Sequence, residues 1–446
     1  MSNSAPRSPL TRDQWQVMIF AGGAWLFDNL DQRIFSQVRI GALSQLMSLP
    51  GNDADVQSFA KIVTAVFLIG WGLGGMFFGA LGDRFGRARM LRWAVSIYAI
   101  CSLLTSLSSE AHAFAMLRSL AGFGIGGVFG LAVTLIADRF DGLQRVTMLA
   151  TLQLLSTLGN IGSALDKMSL DGLASLHWFD SAQVWRFAFI SSALPAMILV
   201  IMYRKFPESN QWQILKSKGQ TPAGVLSAYA NLIRTKSEGY RLLIGAGLAT
   251  AGVVGLWAIG EFAIDLQEAV YTQYYKINND ATLVGHLVAS AKSRAYFLQM
   301  CGAAVGMLIF TWSANRFGRR ISFLVGFFTA MVVTFLVYAN LRTPEDSLWM
   351  MPLMGAAQMS VFAGFSIYLP ELFSESVRGT GVSFCYNLGR FFAAAGSFLS
   401  ATLATKVFGG LPFPEPLRYS AMAMCAVFLI GLIAAFGAPE TKPQAV

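Results

Sequence analysis

"DRFGR" at residues 83–87 returns as "NRFGR" at residues 315–319, 232 positions further along a chain of 446. Trp25 and Trp257 stand at the same offset, as do Pro207 and Pro439 in "PES" and "PET". Asp138 and Arg145, seven apart, are matched by Glu371 and Arg378, seven apart and offset by 233. One coincidence of this kind is cheap; four landmarks at one offset describe a duplicated unit.

The duplicated material is apolar. Hydrophobic residues make up 55% of the chain and charged residues 13%, about half the charged share of a soluble chain. A membrane span needs roughly 20 mostly apolar residues. Twelve such runs are present, at 15–37, 60–82, 90–108, 113–137, 146–164, 185–203, 242–264, 295–314, 321–340, 348–369, 380–404 and 417–437. They are too long for barrel strands, so the spans are helical. The predicted fold is an all-α membrane protein of twelve transmembrane helices in two pseudo-symmetric six-helix bundles. These occupy 1–203 and 242–446, with a polar, basic linker over 204–241 ("YRKFPESNQWQILKSKGQTPAG" at its start). Duplicated helical halves with a site near the midplane are an organisation of secondary transporters.

Orientation follows from basic residues, because cytoplasmic loops collect them. Arg84, Arg87, Arg89, Arg92, Arg139, Arg145, Arg316, Arg319, Arg320 and Arg378 fall in alternate loops with the linker. Both termini are therefore placed in the cytoplasm, in a plasma membrane (the inner one in a Gram-negative cell). This rule also accounts for the net charge of +9, and no basic stretch interleaved with aromatics points to nucleic acid. Cys101, Cys301, Cys385 and Cys425 lie in apolar runs, as packing residues without disulfide or metal spacing. His112, His177 and His286 lie outside the runs, leaving proton chemistry within the bilayer to carboxylates. The start, "MSNSAPRSPLTRDQWQ", lacks the order of a secretory leader. No nucleophile–base pair or phosphate-cradling loop suggests an enzyme. No metal or cofactor is expected; the expected partners of a monomer are the bilayer and a small molecule.

Charges inside the spans mark the candidate site. "WLFDNLDQRIF", residues 25–35, puts Asp28 and Asp31 in span 1, roughly 20–24 Å from the cytoplasmic side. Arg118 of span 4 sits at matching depth, so it is expected to face Asp31 or Asp28. A carboxylate beside an arginine stays ionised, and one parted from it in a dry cavity takes a proton. The three residues form a proton-coupling set, with Asp31 the expected carrier; a fixed ion pair pinning two helices is the other reading. Arg33, about 200° around the helix from Asp31, is expected to snorkel outward. Arg390 of span 11 lies near the midplane with no carboxylate at that depth in spans 8 to 12. An unpaired arginine there is costly unless a cavity or ligand meets it, and its planar fork suits a carboxylate. Backbone carbonyls at a helix break are the alternative partner. Asn387, Gln358, Gln153, Asn160, Trp257 and Tyr386 are candidate cavity walls. Glu261 joins them, although with Asp265 it reads first as solvated rim.

These motifs resemble the major facilitator superfamily. "GALGDRFGRAR", residues 79–89, is similar to its signature between spans 2 and 3, and "TWSANRFGRR", residues 311–320, is a degraded second copy. "LPELFSESVRGTG", residues 369–381, and "APETK", residues 438–442, resemble the branch of sugar porters and aromatic acid:proton symporters. "DNLD", residues 28–31, resembles the Asp-Gly-x-Asp of the aromatic-acid symporters, with Asn29 for the glycine. The glutamine-rich signature of sugar porters is missing from "GLWAIGEFAIDLQ", and the Gly-Pro motif of drug antiporters from "TLQLLSTLGNIGSAL". The resemblance implies that Asp83, Arg87, Asp138, Arg145, Glu371 and Arg378 latch the cytoplasmic gate. From its position at the end of span 2, Asp83 is expected to bond the positive N-terminus of span 11. Glycines repeating every four residues in "GWGLGGMFFG" and "GFGIGGVFG" allow close helix approach and are expected to let helices slide.

The expected function is secondary active transport, a proton-coupled symport of a small organic anion by alternating access. Uptake of a neutral sugar-like solute, by symport or uniport, is the alternative, and a non-transporting membrane sensor a more distant one.

Overall fold

The computed structural model describes residues 10–51, 53–277 and 281–441, with a few side chains inside those ranges, Glu261 among them, outside the description. Among the described residues there is no strand. The first half comprises α1 (Arg12–Met47), α2 (Ala54–Phe85), α3 (Arg87–Ser106), α4 (Ala111–Ala137), α5 (Gly142–Ser175) and α6 (Val184–Met202). Two short helices follow, α7 (Asn210–Ser217) and α8 (Val225–Leu232). The second half comprises α9 (Lys236–Val254), α10 (Gly260–Lys276), α11 (Ala281–Phe317), α12 (Arg319–Asn340), α13 (Ser347–Leu372), α14 (Arg378–Thr402), α15 (Glu415–Met424) and α16 (Phe428–Gly437). A π turn over Gly255–Ile259 joins α9 to α10, and a 3₁₀ turn joins α15 to α16. Each joined pair makes one span, which gives twelve.

The halves pack alike. In the first, α4 lies on α2 and α3, and α1 and α3 lie on α6, with α1 also on α5. In the second, α13 lies on α11 and α12, and α9 and α12 lie on α16, with α9 also on α14. Across the halves, α2 meets α14 and α5 meets α11. The helices overrun the apolar runs: α1, α5 and α11 have 36, 34 and 37 residues, about 50–55 Å against a hydrocarbon core of about 30 Å. His112 and His286 accordingly sit in the opening turns of α4 and α11, not in loops. Cys301 faces outward, contrary to a packing role, while the other three cysteines are buried. Nine helical segments of the described residues are long and apolar enough to cross a membrane. The helices α1, α3 and α14 are not among them: α1 and α14 carry polar residues of the site, and α3 opens on Arg87, Arg89 and Arg92.

The repeated "RFGR" is a turn that only glycine makes well. Gly86 has φ +109° and Gly318 φ +98°, the left-handed region that other residues avoid. Each turn delivers a helix N-terminus to a carboxylate from the other repeated motif. Glu208 of "PES" accepts from the backbone N–H of Ala88 (3.0 Å) and Arg89 (2.7 Å). Glu440 of "PET" accepts from Arg319 (2.9 Å) and Arg320 (3.2 Å). Two landmarks matched in sequence are thus two sides of one contact, made twice, in which anions meet the positive ends of α3 and α12.

The linker is docked. Trp212 of α7 donates from Nε1 to the Asp83 carbonyl at 3.0 Å, and the Tyr229 hydroxyl of α8 donates to the Met76 carbonyl at 2.9 Å. Burial, with the Asp83 charge adding to it, pushes the Tyr229 ionisation well above its usual value, so the hydroxyl stays a donor.

The glycine faces allow close helix packing. A Cβ on Gly74 would sit 1.8 Å from the Phe123 carbonyl oxygen, and one on Gly126 2.0 Å from that of Trp71. These residues seat α2 on α4 within the first half. Gly75, Gly79 and Gly130 instead face Asn387 and Ser383 of α14 across the halves. Gly126→Val is expected to lower stability by about 1–3 kcal/mol through overpacking, read as a lower thermal midpoint in detergent. Gly172→Ala, inside α5 with open space around it, should not lower the midpoint, since alanine is the better helix former.

Candidate functional site

A cavity lies between the halves. Trp25, Asn29, Gln32 and Arg33 of α1, Trp71 of α2, and Gln153, Ser156 and Asn160 of α5 line one side. Leu256 and Trp257 of the π turn, Met300 of α11, Met359 and Phe362 of α13, and Tyr386 and Arg390 of α14 line the other. The π turn breaks the helical register at Leu256 and Trp257, as such turns do at functional sites. The Ile259 carbonyl in that turn accepts from the Tyr338 hydroxyl.

Arg390 is the cation of this cavity from the second half. Its Nη1 donates to the Tyr386 carbonyl and to Asn387 Oδ1, both at 3.0 Å. Its guanidinium lies 3.8 Å above the Trp71 ring and 4.6 Å from the Tyr386 ring, positions favourable for cation–π attraction. Nε is buried and has no hydrogen-bond partner among the described residues. A backbone carbonyl therefore takes part of the guanidinium and leaves part of it unsatisfied.

Several assigned positions need correction. Asn387 is fully buried behind Arg390, holding it while donating to the Ser383 carbonyl at 2.8 Å; it is a support rather than a wall. Gln358 turns away to donate to Thr334 Oγ1 at 3.1 Å, and its neighbour Met359 takes the cavity wall. Arg33 faces away from Asp31 but points into the cavity, 5.8 Å from the Trp257 ring and 5.0 Å from that of Tyr296, instead of snorkelling outward. Asp265 is exposed, and the Glu261 side chain lies outside the described residues. Gln153, Asn160, Trp257, Tyr386 and Arg390 all reach the cavity.

The α1 aspartates part company. Asp31 Oδ2 accepts from Arg118 Nη1 at 3.1 Å, and Oδ1 from Ser192 Oγ at 2.9 Å. Arg118 also donates to Ser102 (2.7 Å) and Thr105 (3.3 Å) and lies 4.5 Å from the Phe189 ring. Asp28 instead accepts from Gln32 Nε2 at 2.8 Å. It also bears electrostatically on Arg390 across the halves, with no ion pair between the two among the described residues.

At the end of the bundle carrying the basic loops, a buried network joins the halves. Asp83 accepts from the Gly379 N–H (3.1 Å), the Thr380 N–H (2.7 Å) and the Thr380 hydroxyl (2.7 Å) at the N-terminus of α14. Arg87 bridges Asp83 (3.1 Å) and Asp138 (2.7 Å), and Arg378 crosses to Asp138 at 2.8 Å. The linker adds Ser209, donating to Asp138 at 3.1 Å. Arg319–Glu371, at 2.9 Å, is the repeat counterpart of Arg87–Asp138. Arg145 does not join; it pairs with exposed Asp141 at 3.1 Å. Glu371 therefore serves Arg319 rather than Arg378. These are buried charges rather than surface pairs, so removing one partner is expensive, about 3–5 kcal/mol.

The family model described as "Sugar (and other) transporter" matches residues 31–238 and 281–446. The chain belongs to that family, within the major facilitator superfamily. It is 26% identical over 451 residues to the cis,cis-muconate transport protein of Acinetobacter baylyi, covering 99% of this chain and 98% of that protein. It is 24% identical over 457 residues to the 4-hydroxybenzoate transporter PcaK of Pseudomonas aeruginosa, covering 97% and 95%. The solved proton:xylose symporter XylE has a similar fold, with TM-score 0.72 and 18% identity over 96% of both chains. This protein is thus a multi-pass membrane transporter of the superfamily and not an enzyme.

Sequence reasoning missed Trp25, Asn29, Gln32, Trp71, Ser156, Met300 and Phe362 of the cavity. Gln32 was findable, four residues from Asp28 on one helix face; the apolar residues carry no signal apart from packing. Asp138→Ala is expected to release Arg87 and Arg378 and open the basic end. In a cysteine-free background, buried Ser383→Cys should then react with a soluble maleimide about tenfold faster or more, since about 1.4 kcal/mol is tenfold. Asp141→Ala should change nothing.

Proposed function

We propose that this transporter takes up a small organic anion together with protons by alternating access, with the basic end facing the cytoplasm of a plasma membrane. The observation that carries this reading is Arg390, whose guanidinium reaches the central cavity with a buried Nε lacking a partner among the described residues. A carboxylate offers the two acceptor oxygens that a planar guanidinium fork matches. Trp71, Trp257 and Tyr386 provide ring faces suited to a flat or unsaturated acid. The muconate and hydroxybenzoate relatives carry substrates of this kind.

The cycle begins with the network around Asp83 and Asp138 closed and the cavity reached from outside. Anion and proton enter, the network parts, and both leave on the cytoplasmic side. Asp28, Asp31 and Arg118 form the proton-coupling set, and the protein acts as a monomer with no cofactor. Neutral sugar-like solutes are the second reading, favoured by the carboxamides Asn29, Gln32, Gln153 and Asn160 along the cavity, which suit hydroxyls.

Uptake into proteoliposomes separates the two. An inward proton gradient should accumulate 4-hydroxybenzoate or cis,cis-muconate but not xylose. Arg390→Gln should weaken acid uptake about 10–100-fold, the worth of a hydrogen-bonded charge. Xylose uptake with no acid uptake, or unchanged acid uptake by Arg390→Gln, would contradict the reading.

A further inference from the structure

Arg33 and Arg390 reach one cavity from opposite halves. Among the described residues lining it they are the charged ones, and none is acidic. The two carboxylates of α1 do not occupy these cations. Asp31 is engaged by Arg118 and Ser192, and Asp28 sits behind the wall residue Gln32, accepting from its amide. Arg390 bonds two acceptors on its own helix, and its buried Nε has none among the described residues. Arg33 is half-buried and has ring contacts there in place of an ion pair, 5.0 Å from Tyr296 and 5.8 Å from Trp257. Each guanidinium thus keeps donors for a ligand.

Aromatic residues hold the two cations in separate places. Arg390 lies 3.8 Å above the Trp71 ring, and Arg33 lies beside the Trp257 ring. Those two rings meet edge to face across the halves, with centroids 5.7 Å apart. Two cations facing one largely buried space repel each other, and a charge held there is costly until a partner meets it. One carboxylate satisfies one guanidinium fork. Resting on the organic-anion reading above, we propose that the cavity is built for a dicarboxylate, with one carboxylate on Arg390 and the other on Arg33. The chain or ring joining the two lies against Trp71 and Trp257. Arg33 belongs to the first half and Arg390 to the second, so a diacid ties the halves together. A monoacid on Arg390 does not. Arg33 is then the residue that separates diacids from monoacids, and Arg390 serves both.

The test is calorimetric titration of the purified full-length protein in detergent at neutral pH with terephthalate and 4-methylbenzoate. These differ by a carboxylate in place of a methyl group. Wild type is expected to bind terephthalate about 10–100-fold more tightly, the worth of one hydrogen-bonded charge pair. Arg33→Gln should bring terephthalate down to the level of the monoacid while keeping most of the affinity for 4-methylbenzoate. Arg33→Lys should restore part of the difference, which a role for Arg33 in packing alone would not produce. Arg390→Gln should weaken both acids. Equal affinities in wild type, or loss of both acids to the same degree in Arg33→Gln, overturns the inference and leaves the organic-anion reading standing. Xylose binding to wild type with neither acid bound overturns both.

Discussion

Charge balance inside an apolar bundle is the constraint on which the site depends. Asp28, Asp31, Arg118 and Arg390 are all buried, where an unpaired ion costs several kcal/mol. Asp31 and Arg118 balance each other within one half and can keep doing so through any rigid-body movement of that half. Asp28 and Arg390 bear on each other only across the halves. The pair is therefore sensitive both to what enters the cavity and to how the halves sit, the two variables a coupled transporter has to link.

The basic end applies the same device to the conformational equilibrium. Duplication supplied each half with an internal pair, Arg87–Asp138 and Arg319–Glu371. The first half also crosses over, through Arg378 to Asp138 and through Asp83 to the N-terminus of α14. The second copy has Asn315 where the first has Asp83, and Arg145 turns to Asp141 where its counterpart Arg378 reaches Asp138. The lock among the described residues is therefore asymmetric. The docked linker adds Ser209 and Trp212 to it, so chain between the halves bears on the gate as well as joining them.

Much of the fold was legible in the sequence because its determinants are local and repeated. Apolar length sets each span, and "RFGR" with "PES" or "PET" marks the turn and its carboxylate in both halves. Depth matching along straight helices put Arg118 against span 1, since rise per residue fixes height. Rotation about each helix axis was much less legible. Arg33 and Gln358 were misplaced because their azimuth depends on neighbours, and the π turn near Trp257 shifts register with no proline to announce it. The Asp28–Arg390 relation joins residues on different halves, so no spacing within either half could encode it.

The organic-anion reading is most directly tested by accumulation of a monocarboxylate in proteoliposomes under an inward proton gradient. The account predicts that 4-hydroxybenzoate accumulates and that Arg390→Gln loses most of that accumulation. Equilibration of 4-hydroxybenzoate without response to the gradient, or unchanged accumulation by Arg390→Gln, would contradict it.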